Sequence, residues 1–212
     1  MIRREISEKL ISLSRQVPVV TIIGPRQSGK TTLVKECFPE YTYVNLEDPI
    51  TRMLAKEDYK SFFETYKEPL IIDEVQRVPE LLSAIQVIVD SDRENNGRFI
   101  LTGSHQPYLQ EGIAQSLAGR TSIMTLLPLS MKELDQDGQL ESLSIDDLLI
   151  KGFMPELYKK VSREPLTYYR DYLNTYVEKD LREMLEIKNL DKFLRFLTLL
   201  AARVGQVVNL SA

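Results

Sequence analysis

The sequence predicts an α/β fold in which a parallel β-sheet lies between two layers of helices. Short, unbroken apolar runs at residues 19–23, 70–72 and 99–102 are typical of parallel strands that are buried on both faces. Segments with helical patterning alternate with these runs, and such alternation is typical of doubly wound domains. A chain of 212 residues is long enough to bury this kind of core without disulfide bonds.

Each element follows from the spacing of apolar side chains and from the residues that interrupt the pattern. Helices are predicted where apolar residues recur about every 3.6 positions, and strands where a short apolar run is bounded by turn-forming residues. Pro79 stands where proline favours the first turn of a helix, and Asn96-Gly97 marks a turn before the next strand. In chain order, the predicted elements are a helix at 2–15, a strand at 19–23, a helix at 31–38, a strand at 41–46, a helix at 50–66, and then a strand at 70–72, a helix at 79–90, and strands at 99–102 and 122–127.

The chain is predicted to form two domains, residues 1–128 and 129–212. Beyond residue 165, apolar side chains keep helical spacing, which predicts an all-α region or lid with helices at 165–185 and 191–204. Asn209-Leu210-Ser211 then offers a new helix N-cap, so we expect the chain to continue into a further helix.

Composition excludes several classes of protein. The net charge of −4 provides no general basic field for nucleic acid, and the stretch 131–156 is strongly acidic. Cys37 is the single cysteine, which excludes an internal disulfide and suits a reducing compartment. No apolar run approaches the ~20 residues that span a bilayer, and the first residues lack the apolar core of a signal peptide. We therefore expect a cytoplasmic protein that does not enter a membrane.

A phosphate-binding motif follows the first strand directly. Residues 24–31 read Gly-Pro-Arg-Gln-Ser-Gly-Lys-Thr, in which the glycines allow backbone amides to point inward and hold phosphate oxygens at a helix N-terminus. We expect Lys30 to reach the β- and γ-phosphates of a nucleotide and the Thr31 hydroxyl to bind Mg²⁺. The predicted nucleotide-binding residues are Gly24, Pro25, Arg26, Gln27, Ser28, Gly29, Lys30, Thr31 and Thr32.

An acidic pair follows the strand at 70–72. Asp73 is predicted to hold Mg²⁺ through its water shell, and Glu74 is predicted to act as the general base that orients and deprotonates a water molecule. Phosphoryl transfer to a small-molecule acceptor would not need this base, so the pair favours hydrolysis over a kinase.

Two further residues are candidates for contact with the γ-phosphate. Ser104 follows the strand at 99–102 and should reach the same edge of the sheet, where ligands bind in open α/β folds. Thr102 is the alternative for this role. Arg120 is the best candidate for a guanidinium that stabilises the γ-phosphate, in the same chain or from a neighbour, and a structural ion pair is an equal alternative for it. For Arg26 and Arg77, surface ion pairs are favoured.

With these motifs placed, the chain resembles the prokaryotic AAA+-related ATPases called archaeal-type ATPases, within the STAND-like signal-transduction clade. The matching segments are 24–31, 43–49, 71–77, 101–104 and 117–121. The resemblance implies an ASCE-type P-loop NTPase fold with a three-layer parallel sheet, ATP and Mg²⁺ as cofactors, Ser104 as a sensor and a C-terminal domain of unknown function. It also implies that relatives continue beyond residue 212.

The function predicted from these observations is Mg²⁺-dependent ATP hydrolysis that is coupled to a DNA or protein partner through the C-terminal region. No Asn/Thr-Lys-x-Asp run of the kind that reads guanine is present, so ATP is favoured over GTP. The alternative is a slow, nucleotide-gated switch with little turnover. Partner identity and oligomeric state are left open.

Overall fold

The computed structural model describes residues 2–104, 107–159, 161, 163–177 and 190–207. The chain divides into two compact units, Met1–Pro165 and Leu166–Ala212. The domain boundary expected at residue 128 stays a prediction. In the structure, residues up to 165 belong to the first unit, and the Glu133 carboxylate accepts a hydrogen bond from the Arg4 guanidinium at 3.0 Å.

A five-stranded parallel sheet forms the centre of the first unit. Its strands are β1 (Val19–Gly24), β2 (Thr42–Asn45), β3 (Leu70–Asp73), β4 (Phe99–Ser104) and β5 (Thr121–Thr125), and their order across the sheet is β2-β3-β4-β1-β5. Every strand pair is parallel, with Gly24 opposite Ser104 and Asn45 opposite Asp73. The carboxyl ends of the strands therefore meet at one edge, and the predicted α/β class is confirmed.

Helices cover both faces of this sheet. The helices of the first unit are, in chain order, α1 (Ile6–Ser14), α2 (Lys30–Cys37), α3 (Pro49–Glu57), α4 (Tyr59–Thr65), α5 (Leu81–Asp90), α6 (Pro107–Ser116), α7 (Met131–Gln136) and α8 (Ile145–Lys151), of which α1 to α6 contribute to the cores on the two faces. Successive residues of β1 enter different cores, because side chains alternate across a strand. Val19 and Ile23 pack with residues of α3 to α6, whereas Val20 and Ile22 pack with residues of α1 and α2.

The helical region predicted at 50–66 consists of two helices. Asp58 ends α3 and caps α4, since its carboxylate accepts hydrogen bonds from the Ser61 amide at 3.0 Å and the Ser61 hydroxyl at 2.6 Å. A short polar side chain at an N-cap restarts the helix in a new direction, and hydrophobic spacing alone does not reveal that break.

The structure adds three helices that hydrophobic spacing does not predict, namely α6, α7 and α8. The last two begin with capping boxes, in which Ser130 pairs with Glu133 and Ser144 with Asp147. Helices this short are recognised in a sequence by their capping residues, because they are too short to show a long apolar period.

The described part of the second unit is helical. Helix α9 (Pro165–Tyr172) is followed by a π-helical turn (Leu173–Val177), and α10 spans Leu190–Ala201. The predicted continuation of the first of these helices through residue 185 and the N-cap signal at 209–211 lie outside the described residues. In the part of the chain that the structure describes, no helix is both long and apolar enough to cross a membrane.

Candidate active site

The loop between β1 and α2 is built around two glycines. A Cβ added at Gly24 would lie 2.2 Å from the Leu126 carbonyl oxygen, so only glycine fits there. Gly29 has φ +95° and precedes the first turn of α2, a conformation that favours glycine because it has no side chain. Pro25, Arg26, Gln27 and Ser28 form the turn between them, and Lys30, Thr31 and Thr32 open the helix. The predicted phosphate motif thus has the strand–loop–helix context that it requires.

Lys30 brings a positive charge into this loop. Its side chain is buried, and its ammonium group donates to the carbonyls of Gly24 at 3.1 Å and Pro25 at 3.0 Å. The loop backbone therefore fixes the position of the ammonium group. An anion that binds to the loop amides would lie close to this positive charge.

Asp73 is a buried carboxylate at the centre of a set of hydroxyl groups. It is 2% exposed and accepts hydrogen bonds from Thr31 at 2.8 Å, from Tyr43 at 2.7 Å and from Thr102. The structure thus brings together Thr31 and Asp73, the two predicted metal ligands. Both offer oxygen, which is the ligand type that Mg²⁺ prefers, so these residues fit the metal.

No group of three or more His, Cys, Asp or Glu side chains suited to a metal occurs among the described residues. A metal at Thr31 and Asp73 would therefore take most of its ligands from water and phosphate. That is how Mg²⁺ is usually held at nucleotide sites.

Tyr43 joins the site although its sequence position marks it only as a strand residue. It lies on β2 beside β3, and the Lys35 ammonium lies 3.5 Å from the centre of its ring. Burial raises the pKa of the Tyr43 hydroxyl well above its usual value, and the hydrogen bond to Asp73 raises it further. The hydroxyl therefore stays protonated and remains a donor to Asp73.

Glu74 occupies an unusual backbone conformation immediately after β3. Its φ of +61° and ψ of +45° lie in the left-handed region, which is uncommon for residues other than glycine and often occurs at functional sites. Its amide donates to the Thr102 hydroxyl at 3.3 Å, and its carboxylate accepts a hydrogen bond from the Gln76 amide group. Thr102 therefore holds both acidic residues of the pair.

Buried polar atoms without partners surround the loop. The hydroxyls of Ser104 and Ser28 and the side-chain oxygen of Gln76 have no hydrogen-bond partner within the described ranges. Ser104 is 4% exposed and lies opposite Gly24 in the β1–β4 register. Because buried polar groups are almost always paired, these atoms indicate a site that a ligand or water completes.

Arg120 lies at the amino-terminal end of the strands, whereas the phosphate loop lies at their carboxyl end. Arg120 precedes β5, and its carbonyl accepts from the Val19 amide at the start of β1. The six residues of β1 separate it from the loop by roughly 17 Å, at ~3.3 Å per residue. Within its own chain, the Arg120 side chain therefore begins far from the phosphate loop, and a contact from Arg120 to the γ-phosphate of a neighbouring chain stays a prediction.

The guanidinium of Arg120 forms an ion pair instead. It donates to both carboxylate oxygens of Asp90, at 2.7 and 2.8 Å, and the hydrogen bond from Arg120 holds the pKa of Asp90 below its usual value. Arg77 likewise pairs with Glu47 at 2.7 Å. These contacts match the ion-pair alternative for both arginines.

A cavity of about 420 Å³ opens beside the loop. Gly29 and Thr32 line it on one side, and its apolar walls include Leu33, Leu129 and Tyr158. Its volume lies within the range of ~300–1,000 Å³ that is usual for small-molecule sites. The position beside the loop suits the part of a nucleotide that extends away from the phosphates.

Two family models match this sequence, the AAA domain (AAA_14) over residues 16–135 and a domain of unknown function (DUF8612) over residues 142–212. The chain belongs to the AAA domain family. It therefore carries a nucleotide-binding domain of the AAA ATPase type. This confirms the resemblance inferred from the motifs, including the domain of unknown function that follows the AAA domain.

Relatives of this AAA protein include two uncharacterized proteins, Mb2031c of Mycobacterium bovis and Rv2008c of Mycobacterium tuberculosis. Each is 33% identical over 192 residues, which cover 86% of this chain and 40% of the relative. The chain thus spans less than half the length of these relatives.

Two solved structures are similar to this AAA protein at a distance. AMPPCP-bound DnaA from Aquifex aeolicus has a TM-score of 0.47 at 15% identity, over 92% of this chain and 66% of DnaA. The STAND protein PH0952 from Pyrococcus horikoshii, which has a tetratricopeptide repeat sensor, has a TM-score of 0.44 at 18% identity, over 85% of this chain and 34% of PH0952.

Proposed function

We propose that this protein binds ATP with Mg²⁺ at the carboxyl edge of the sheet and hydrolyses it with an activated water molecule. The observation that carries the proposal is the hydrogen bond of 2.8 Å from Thr31 to Asp73. It joins the phosphate loop to the acidic pair, and Glu74 is the next residue. A phosphate-binding element and a candidate base therefore share one site.

Each residue of this site has a distinct task. The loop amides and Lys30 hold the phosphates, and Glu74 orients the water and accepts its proton. Thr31 and Asp73 would hold Mg²⁺, which neutralises charge on the phosphate oxygens when bound. Ser104 donates its hydroxyl to the γ-phosphate or to the water, which would satisfy its buried oxygen.

The nucleoside fits the cavity beside Gly29 and Thr32. Its apolar walls, among them Leu33, Leu129 and Tyr158, suit the faces of an adenine ring, which bind by stacking and apolar contact. The absence of a guanine-reading sequence supports ATP as the nucleotide.

The nucleotide state would then control a DNA or protein partner through the C-terminal region. The cytoplasmic location, the partner and any oligomer stay predictions. A slow switch is the second candidate function, and the Gln76 contact favours it. The Gln76 amide donates to one carboxylate oxygen of Glu74 and so holds the carboxylate in one orientation, and turnover would be slow if that orientation does not face the attacking water.

Two substitutions test the proposal directly. Glu74→Gln should bind ATP as the wild type does, while phosphate release falls by a factor of ~100 or more, because a general base contributes ~10²–10⁴ to the rate. Lys30→Ala should lose both binding and turnover. Binding is measured by calorimetry and turnover by released phosphate, with the exposed Glu80→Gln as the matched control.

Each result separates the two candidates. Normal turnover in Glu74→Gln would contradict the assignment of the base. A wild type that binds ATP tightly yet releases phosphate no faster than Glu74→Gln would establish the switch. Adding candidate DNA to the wild type shows whether a nucleic acid changes the rate, and an unchanged rate favours a protein partner.

A further inference from the structure

Arg4 connects the phosphate loop to the segment that follows β5, although it lies outside the residues that the AAA domain model matches. The side chain is 8% exposed. Its guanidinium donates to the Ser28 carbonyl at 2.8 Å, to the Leu127 carbonyl at 2.7 Å and to the Glu133 carboxylate at 3.0 Å. Three separate parts of the first unit therefore converge on one side chain.

Glu133 holds this guanidinium in place. It is 4% exposed, and it also accepts hydrogen bonds from the amides of Glu5 and Ser130, each at 2.8 Å. Both charges of the pair are buried and satisfied by several partners, and the planar guanidinium offers its donors in a fixed fork. Arg4 is thus a rigid donor to the loop.

The contact to Ser28 has a geometric consequence for the next residue. In a trans peptide, the carbonyl of one residue and the N–H of the next point in opposite directions. Because Arg4 binds the Ser28 carbonyl, the Gly29 N–H is turned away from Arg4. Gly29 precedes the first turn of α2, where N–H groups have no partner within the helix and are available to an anion.

We propose that Arg4 is a positioning residue that fixes the Ser28–Gly29 peptide, so that the Gly29 N–H faces the bound phosphates. This inference rests on the proposed function, because the phosphates are those of the proposed nucleotide. Arg4 itself touches no reacting atom. It acts through the loop backbone, and its loss should weaken the binding of phosphate groups even when they carry no nucleoside.

The sequence offers a direct probe of this peptide. Ser28-Gly29 is the only Ser-Gly pair in the 212 residues. Labelling serine with ¹³C at the carbonyl and glycine with ¹⁵N therefore yields a single carbonyl–amide correlation peak, which reports both ends of the peptide. The peak is recorded for wild type, Arg4→Lys, Arg4→Met and the control Arg3→Met. Arg3 is exposed and pairs with Glu8.

We expect the Ser28 carbonyl signal to shift upfield in Arg4→Met, because it loses a charged donor, and to shift less in Arg4→Lys. Addition of inorganic tripolyphosphate should move the Gly29 amide signal in the wild type and in Arg3→Met. The movement should be smaller in Arg4→Met. A peak in Arg4→Met that matches the wild type before and after tripolyphosphate would overturn the inference.

Affinity provides the second measurement. Tripolyphosphate and ATP should each bind Arg4→Met at least ~10-fold more weakly, the equivalent of ~1.4 kcal/mol, and tripolyphosphate isolates the effect on the loop because it carries no nucleoside. Arg4 also lines the cavity beside Gly29 and Thr32, so weaker adenosine binding together with unchanged tripolyphosphate binding would show that Arg4 acts on the nucleoside alone and would overturn the inference. If Arg4→Met does not fold, Glu133→Gln keeps a side-chain acceptor but removes the opposite charge, and it should show the same loss of tripolyphosphate affinity.

Failure of this inference can be told apart from failure of the proposed function. If the wild type itself binds neither ATP nor tripolyphosphate, the proposed function is wrong. If the wild type binds both and the Arg4 variants bind them equally well, only the role of Arg4 is wrong.

Discussion

Thr102 supports both residues of the acidic pair, and its replacement by valine measures what that support contributes. Thr102 is fully buried on β4. Its hydroxyl donates to the Asp73 carboxylate and accepts from the Glu74 amide at 3.3 Å. Valine has nearly the same shape but no hydroxyl, so Thr102→Val removes two hydrogen bonds and leaves Asp73 and the Glu74 amide short of partners.

The cost follows from the types of hydrogen bond. A bond to a charged group contributes ~1.5–3 kcal/mol and a neutral bond ~0.5–1.5 kcal/mol. Since both bonds of Thr102 are lost at a buried site, we expect Thr102→Val to lower the free energy of unfolding by about 3 kcal/mol. For a chain of 212 residues, a shift of ~2–4 °C per kcal/mol predicts that Tm falls by ~6–12 °C.

The assay is thermal and urea unfolding followed by far-ultraviolet circular dichroism, because the chain contains no tryptophan. The matched control is Thr102→Ser, which keeps the hydroxyl and loses one methyl group, at a cost of ~1 kcal/mol. If the valine and serine variants unfolded within about 2 °C of each other, the hydroxyl would not hold the acidic pair, and the reasoning would be refuted. Because Thr102 also fixes the Glu74 backbone, ATP turnover should fall more than ATP affinity.

Two further substitutions test contacts that only the structure reveals. Tyr43→Phe removes a half-buried donor to Asp73, so the free energy of unfolding should fall by ~1–2 kcal/mol. Urea unfolding measures this change, with Tyr41→Phe as the control. Equal stability of the two variants would mean that the Tyr43 hydroxyl does not support Asp73. The second test concerns the Asp90–Arg120 pair, in which the hydrogen bond from Arg120 lowers the pKa of Asp90. The pair therefore stabilises the fold at pH values above 3.8, the usual pKa of aspartate. This contribution is lost as the pH falls through the lower pKa of Asp90 in the folded protein. Wild type should therefore have a higher Tm than Asp90→Asn at neutral pH, and the gap should shrink as the pH is lowered below 3.8. A gap that does not change with this acidification would contradict the pairing.

Much of the candidate site could be predicted from short stretches of sequence. The phosphate loop, the acidic pair and Ser104 each stand at the carboxyl end of an apolar strand, and parallel strands bring these ends together on one side of the sheet. Arg120 precedes β5, and the direction of that strand likewise determines where the residue lies. A residue that precedes a parallel strand lies at the amino-terminal end of that strand, so the direction of β5 separates Arg120 from the phosphate loop of its own chain.

The sequence by itself determined the fold class, the phosphate loop and the two acidic residues, because glycine conformations, apolar periods and adjacent residues are local properties of the chain. Tertiary structure decided which distant residues complete the site. Tyr43 reaches Asp73 because β2 pairs with β3, and Arg4 reaches Ser28 across 24 positions of sequence. No local pattern specifies such contacts, since they depend on the order of the strands and on the packing of the segments around them.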